Sequence, residues 1–340
     1  MSTATTDGKE GEMTTITYRE ALNTALREEM RRDDRVFVMG EEIGVFEGSY
    51  KITRGLIEEF GSKRVRETPI SEEAFVGAGI GAAMLGLRPV VEIMTINFIL
   101  VAMDQIVNNA AKMRYMFGGE ASVPLVIRTP GGAGAQLTAQ HSQSLEVWFA
   151  SVPGLKVVAP STPRDARGLL KAAIRDEDPV LFIETLALYN TKGEVADDDE
   201  IVPIGRAEVK REGRDATLVA HSFMTLRCLE AAEVLAREGV EVEVVDLRSL
   251  RPLDMETVAA SVSKTHRAVC VEEGWATYGI TAELAARISK ACFDELDAPV
   301  ERVGGGEAPM PYAKGLEKAV IPDVEKICAA VREVLRASGR

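Results

Sequence analysis

Residues 72–87 read EEAFVGAGIGAAMLGL: two acids, then Gly77, Gly79 and Ala82 in a G-x-G-x-x-G/A spacing. Such glycines bind a dinucleotide when they form the turn between a strand and a helix, so that the backbone can approach a pyrophosphate at the helix N-terminus. The preceding ETPISEE is not a strand. Pro69 turns the chain, Ser71 suits a helix N-cap, and Glu72 and Glu73 suit a first turn, where the helix dipole favours acids. The pattern predicts a helix from about Glu72 with the glycines inside it. About 20 residues beyond Gly77, where a ribose-binding acid would stand, come Asn97 and Phe98. Nicotinamide chemistry is therefore the weak reading. Glu72 itself has two: an ordinary helix-capping acid, or a desolvated carboxylate at the mouth of a buried helix, able to hydrogen-bond a cofactor nitrogen. The pattern fits both.

Two further residues carry possible chemistry. His141 lies in GGAGAQLTAQHSQS, a glycine-rich loop after an apolar strand. A lone loop histidine is more often structural, but Gln140, Ser142 and Gln143 flank it and are placed to fix its tautomer. Glu41, the first acid of MGEE, ends a strand, where ligands collect in open parallel sheets. A strand-end surface acid is the equal alternative. His221 reads as structural or interfacial and His266 as a surface residue.

The elements that must position these groups alternate. YREALNTALREEMR places Ala21, Leu22, Ala25, Leu26 and Met30 on one helical face. RVFVMG, PVVEIM, PLVIRT, LKVVAP and PVLFIET read as strands, and Thr162-Pro163 opens the helix after the fourth. Strands separated by helices imply a parallel sheet covered on both faces. Ala74–Leu87 has no polar side chain, so this helix is expected to be buried all round, its small residues admitting another backbone, in a subunit interface for example. A second strand–helix–strand unit follows: DATLVAHS, MTLRCLEAAEVLARE and VEVEVVDLRSL, then the strand RAVCVEE. The expected division is a flexible tail over 1–13, an α/β domain over 14–190, a linker over 191–204 and a second α/β domain over 205–338.

Composition bounds the partners. The chain of 340 residues is 46% hydrophobic and 27% charged, with a net charge of −13, which argues against nucleic acid or an anionic membrane as main partner. Ala74–Leu87 is shorter than the roughly 18 apolar residues a membrane span needs. Four cysteines without C-x-x-C suit free thiols in a reducing compartment, and three histidines make a multi-histidine metal site improbable. A cytoplasmic chain is expected.

The segments GEEIGVFEGSYKITRGL, ETPISEEAFVGAGIGAAMLGLRPVVEIM, NFILVAMDQIVNNAAK, QHSQSLEVWFASVPGLKVV, DLRSLRPLD and APMPYAKGLEKAVIP, in that order over about Thr14 to Leu335, resemble the β subunits of thiamine-diphosphate-dependent 2-oxoacid dehydrogenases, the pyruvate-using members above all. These belong to a transketolase-like group. The resemblance implies an α/β fold: a parallel-sheet pyrimidine-binding domain followed by a transketolase C-terminal α/β domain. It implies oxidative decarboxylation of pyruvate, with acetyl transfer to the lipoyl group of an acyltransferase component. Branched-chain 2-oxoacid and acetoin dehydrogenase β subunits share most of the motifs and stay as alternatives. A nicotinamide oxidoreductase and a noncatalytic scaffold that docks an acyltransferase through an acidic C-terminal domain are the rivals from other classes.

The resemblance also implies roles. Glu72, in TPISE, matches the family glutamate that contacts N1′ of the aminopyrimidine and so helps make the thiazolium carbon nucleophilic. Phe98, in TINF, matches an aromatic that packs on the pyrimidine. Glu41 matches an acid near the cofactor in a proton path between sites, and His141 the HSQ histidine that serves acyl transfer. Leu125, Ala173, Ile174, Asp176 and Asp178 match a structural potassium loop, with Asp178 in place of an amide found in some members. There is no G-D-G…N-N motif to hold a diphosphate through Mg²⁺. A separate α subunit should supply that half, with the cofactor at the interfaces of an α2β2 heterotetramer.

Overall fold

The computed structural model describes residues 13–337. Residues 1–12 of the expected tail lie outside it. Met13 opens a strand, Met13–Thr17, that pairs antiparallel with Lys192–Ala196, inside the segment read as linker.

The first sheet has seven strands, in the spatial order Ser249–Arg251, Lys156–Val158, Val180–Thr185, Val126–Gly131, Arg88–Glu92, Val36–Gly40 and Val65–Glu67. Apart from the first pair, all neighbours are parallel. The central strands are buried at every position, as expected where helices cover both faces. Tyr18–Arg32 is held at its start by a capping box of Thr17 and Glu20, and buries the apolar stripe foreseen. Pro163–Arg175 starts on Thr162, whose hydroxyl accepts from the Asp165 amide.

The second sheet orders Glu301–Gly305, Ala268–Trp275, Ala216–Ala220, Val242–Asp246 and Glu208–Arg211, parallel except for the last strand. The two units share one core: Val91, Ile127 and Ile183 of the first sheet belong with Val219, Val245 and Cys270 of the second.

The run VEVEVVDLRSL is not one strand. It ends at Asp246, turns through Arg248 at φ 54°, and Ser249–Arg251 crosses over to edge the first sheet. Asp246 forces the break: this buried carboxylate accepts from the Arg248 amide and from the Ser161 hydroxyl of the other unit.

Candidate active site

Four parallel strands that lie side by side carry the four candidate residues just past their carboxyl ends. Glu41 follows Val36–Gly40, Glu72 follows Val65–Glu67, Phe98 follows Arg88–Glu92 and His141 follows Val126–Gly131. In an open parallel sheet this edge is where loops converge and ligands bind.

Glu72 heads the helix Glu72–Met84, as expected, and its side chain is buried. Ser71 stands at the N-cap, but its hydroxyl makes no capping bond. Gly77, Gly79 and Ala82 lie within the helix, not at a strand–helix turn, so the dinucleotide fingerprint has no phosphate loop to form. The expectation that this helix is buried all round needs correction. Phe75, Val76, Gly79, Ile80 and Ala83 face the sheet, whereas Glu73, Ala74, Ala78, Gly81 and Met84 are exposed. Gly79 is where the sheet comes closest: a Cβ there would meet Val91 Cγ2 at 2.8 Å.

Glu41 is buried, and its Oε1 has no hydrogen-bond partner. Burial, reinforced by the negative charges of Glu72 and Glu42, pushes its carboxyl up to about 6. A buried acid that shares its field with Glu72 and has its carboxyl raised differs from a strand-end surface acid, the alternative the sequence left open.

The turn Phe98–Ala102 packs against the helix headed by Glu72. Phe98 and His141 meet as tilted rings with centroids 5.3 Å apart. Both are half-buried, which leaves part of each ring open to a ligand. Asn97, not Gln140, Ser142 or Gln143, orients the imidazole: His141 Nδ1 lies 3.0 Å from Asn97 Oδ1. Gln143 instead donates to the Gln140 carbonyl, and the buried Ser142 hydroxyl has no partner. The Thr95 hydroxyl also donates to Asn97 Oδ1. With an acceptor opposite Nδ1, the proton of the neutral ring sits there and Nε2 keeps its lone pair.

Below this edge lies a buried charge cluster that the sequence reading passed over. Arg128 binds Glu184 through two bonds of 2.7 Å and also donates to Glu92, while Tyr189 donates to Glu184 at 2.6 Å. Charges within three buried strands, at Glu92, Arg128 and Glu184, were its sequence signal. Burial raises Glu92 above its usual value; Arg128 opposes the shift and Glu184 adds to it.

The loop expected to hold potassium is bridged by protein cations. Arg88 donates to the carbonyls of Ile174 and Asp176, at 3.0 Å each. Lys156 binds the carboxylates of Asp176 and Asp178, and Arg114 also binds Asp178. The carbonyls of Ala173 and Leu125 accept from the amides of Asp176 and Val180. Protein cations already supply the positive charge that this oxygen-rich loop attracts. Among the described residues, no cluster of three or more histidine, cysteine or acidic side chains is disposed to hold a metal.

His221 is buried, with Nδ1 unpartnered, and burial pushes it down to about 4, so it stays neutral. His266 is partly exposed, as expected of a surface residue, and it caps the helix Met255–Thr265 in a left-handed conformation, with Nδ1 2.8 Å from the Glu295 carbonyl.

Two family models cover most of the chain. Residues 14–192 match the transketolase pyrimidine-binding domain, and residues 205–327 the transketolase C-terminal domain. The "Pyruvate dehydrogenase E1 component subunit beta-1, mitochondrial" of Arabidopsis thaliana is 53% identical over 93% of this chain and 88% of its own length. The "Pyruvate dehydrogenase E1 component subunit beta" of Rhizobium meliloti is 51% identical, over 95% and 70%. A solved split-gene transketolase, an inactive β4 tetramer, superposes with a TM-score of 0.77 at 25% identity, covering 95% of this chain and 99% of that one. With two domain models matched in order and identities near half over almost its full length, the chain belongs to the transketolase-like family of pyruvate dehydrogenase first-component β subunits.

Proposed function

We propose that this chain is the pyrimidine-binding half of a thiamine-diphosphate site and works as the β subunit of a pyruvate dehydrogenase component. The observation that carries the reading is the convergence of Glu41, Glu72, Phe98 and His141 past the carboxyl ends of four adjacent parallel strands.

The residues suit the group they would hold. A flat heterocycle fits against the half-buried ring of Phe98, and the partnerless Glu41 Oε1, in the field of Glu72, marks an unfilled polar contact at the same sheet edge. Thiamine diphosphate, when bound, supplies a carbon nucleophile that adds to the 2-oxo group and takes up the electrons released with CO₂. Glu72 would hold a proton at N1′ of the pyrimidine, its rigid place at the helix start fixing the direction of that bond. Glu41 would exchange protons with the same region near neutral pH. His141, with Nδ1 turned to Asn97, would present Nε2 to the lipoyl sulfur that takes up a proton when the disulfide opens and the acetyl group passes to the other sulfur.

The diphosphate and its Mg²⁺ are assigned to an α subunit, in an α2β2 assembly that docks an acyltransferase component bearing the lipoyl arm. Four buried free cysteines support a reducing compartment, and the cytoplasm is our reading. Among the described residues, no helix is long and apolar enough to cross a membrane.

The test is reconstitution. The chain with its α subunit should turn over pyruvate faster than branched-chain oxoacids or acetoin, and the chain alone should be inactive. Within the active assembly, Glu72→Gln should slow deuterium exchange at the thiazolium C2 by about 100-fold or more. Normal exchange would refute the role given to Glu72.

A further inference from the structure

The loop that leads into His141 is held from the other domain. Between strand Val126–Gly131 and the short helix Thr138–His141 the backbone takes left-handed conformations at Gly132, Gly134, Gln136 and Thr138, with φ between 56° and 95°. Glycine adopts these freely, but glutamine and the β-branched threonine do not. Alternation of this kind turns successive backbone N–H groups inward and makes a concavity that attracts an anion. Here the anions are carboxylates of the C-terminal domain. The amides of Gly134 and Gln136 both donate to Glu317 Oε1, at 3.0 Å each, and the Ala133 amide donates to Glu273.

Glu317 is an unusual side chain in its own element. The helix Lys314–Val320 is largely exposed, and Glu317 is its only buried residue, at 2% exposure. A helix that buries an apolar face is held by that face; this one inserts a single carboxylate into a loop of the neighbouring domain. The insertion orders the loop immediately before His141, whose ring must keep its place against Phe98 and Asn97.

We propose that Glu317 is a positioning residue for acyl transfer: its carboxylate, seated in the Gly134–Gln136 turn, fixes the loop that carries His141, so that the C-terminal domain sets the geometry of the catalytic edge. Glu273 supports the same loop one residue earlier. Half-buried near Glu317, it is pushed up to about 7, chiefly by desolvation, with the Ala133 amide opposing and Glu317 adding to the rise. The proposal rests on the acyl-transfer role given above to His141.

The experiment uses the assembled α/β enzyme and two assays. One is pyruvate decarboxylation read with an artificial electron acceptor; the other is reductive acetylation of a free lipoyl domain. Glu317→Ala is expected to lower kcat for lipoyl acetylation about 10- to 100-fold while the artificial-acceptor rate stays within about twofold. Glu317→Gln, which keeps an acceptor oxygen for the two amides, should retain most of both rates. The double variant with His141→Ala should be no slower than His141→Ala alone. Hydrogen exchange of the Gly134 and Gln136 amides should accelerate in Glu317→Ala only. Unchanged acetylation, an equal loss in both assays, or a Glu317→Gln as slow as Glu317→Ala overturns the proposal. A fully active His141→Ala overturns the role of His141 instead, and the amide exchange still reports whether Glu317 holds the loop. If Glu317→Ala does not assemble, Glu317→Asp, whose shorter side chain falls short of the two amides, takes its place in both assays and in the exchange measurement with the same expected and overturning outcomes.

Discussion

Asn97 Oδ1 lies 3.0 Å from Nδ1 of His141, joining the ends of two strands through residues 44 positions apart. The oxygen can only accept, so it selects the neutral imidazole tautomer whose Nε2 is free to take or give a proton. Asn97→Leu removes that selection and leaves the ring able to rotate. Lipoyl acetylation should fall about 10- to 100-fold, with decarboxylation to an artificial acceptor largely retained. Single-turnover rates of the two half-reactions test this, and an equal loss in both would assign Asn97 to folding rather than to the imidazole.

Glu41 gives a pH signature. Its carboxyl is raised from 4.5 to about 6, by burial first and then by Glu72 and Glu42. The folded chain therefore holds this proton more tightly than the unfolded chain does. The group's contribution to stability falls as pH rises between about 4.5 and 6, and stays reduced above that window. Glu41→Gln, which cannot ionise, should melt above the wild type at about pH 7.5, and the gap should close as pH falls to about 4. Differential scanning calorimetry of cofactor-free protein across that range checks the sign, and a variant that melts lower at neutral pH would show that the charge is compensated in the fold.

The sequence made the alternation of strands and helices legible because apolar runs and caps are local signals. Glu72 was legible as a helix start for the same reason, though its catalytic meaning came from family resemblance. Asn97 was not legible. It was weighed only as the place where a ribose-binding acid was missing, and its partner His141 arrives from a different strand. Glu317 was hidden because its helix is otherwise exposed, and nothing local distinguishes a buried carboxylate from a solvated one. The crossover at Leu247 was hidden because VEVEVVDLRSL is continuously apolar apart from its charges, and the sheet to which Ser249–Arg251 belongs is decided by Asp246 and Ser161 in three dimensions. The cluster of Glu92, Arg128 and Glu184 could have been found, since each of three adjacent buried strands carries a charge.

The glycines of residues 77–81 separate packing within the chain from packing between subunits. A Cβ at Gly79 would stand 2.8 Å from Val91 Cγ2 and 3.4 Å from Leu125 Cδ1, so Gly79→Ala overpacks the helix against the sheet. Such overpacking costs about 1–3 kcal/mol, against the roughly 1 kcal/mol that alanine contributes to a helix, and the chain should lose stability. A Cβ at Gly81 meets nothing within 4 Å, so Gly81→Ala should stabilise the chain by up to about 1 kcal/mol. Gly81 nevertheless lies on the exposed strip with Ala74 and Ala78, where small side chains let a second backbone approach. If that strip is a subunit contact, Gly81→Ala raises the melting temperature of the chain alone and weakens its assembly with the α subunit. Sedimentation velocity on the mixed subunits reads the second effect. A variant that melts higher and assembles as tightly as the wild type would leave this face of the helix in solvent and move the interface elsewhere.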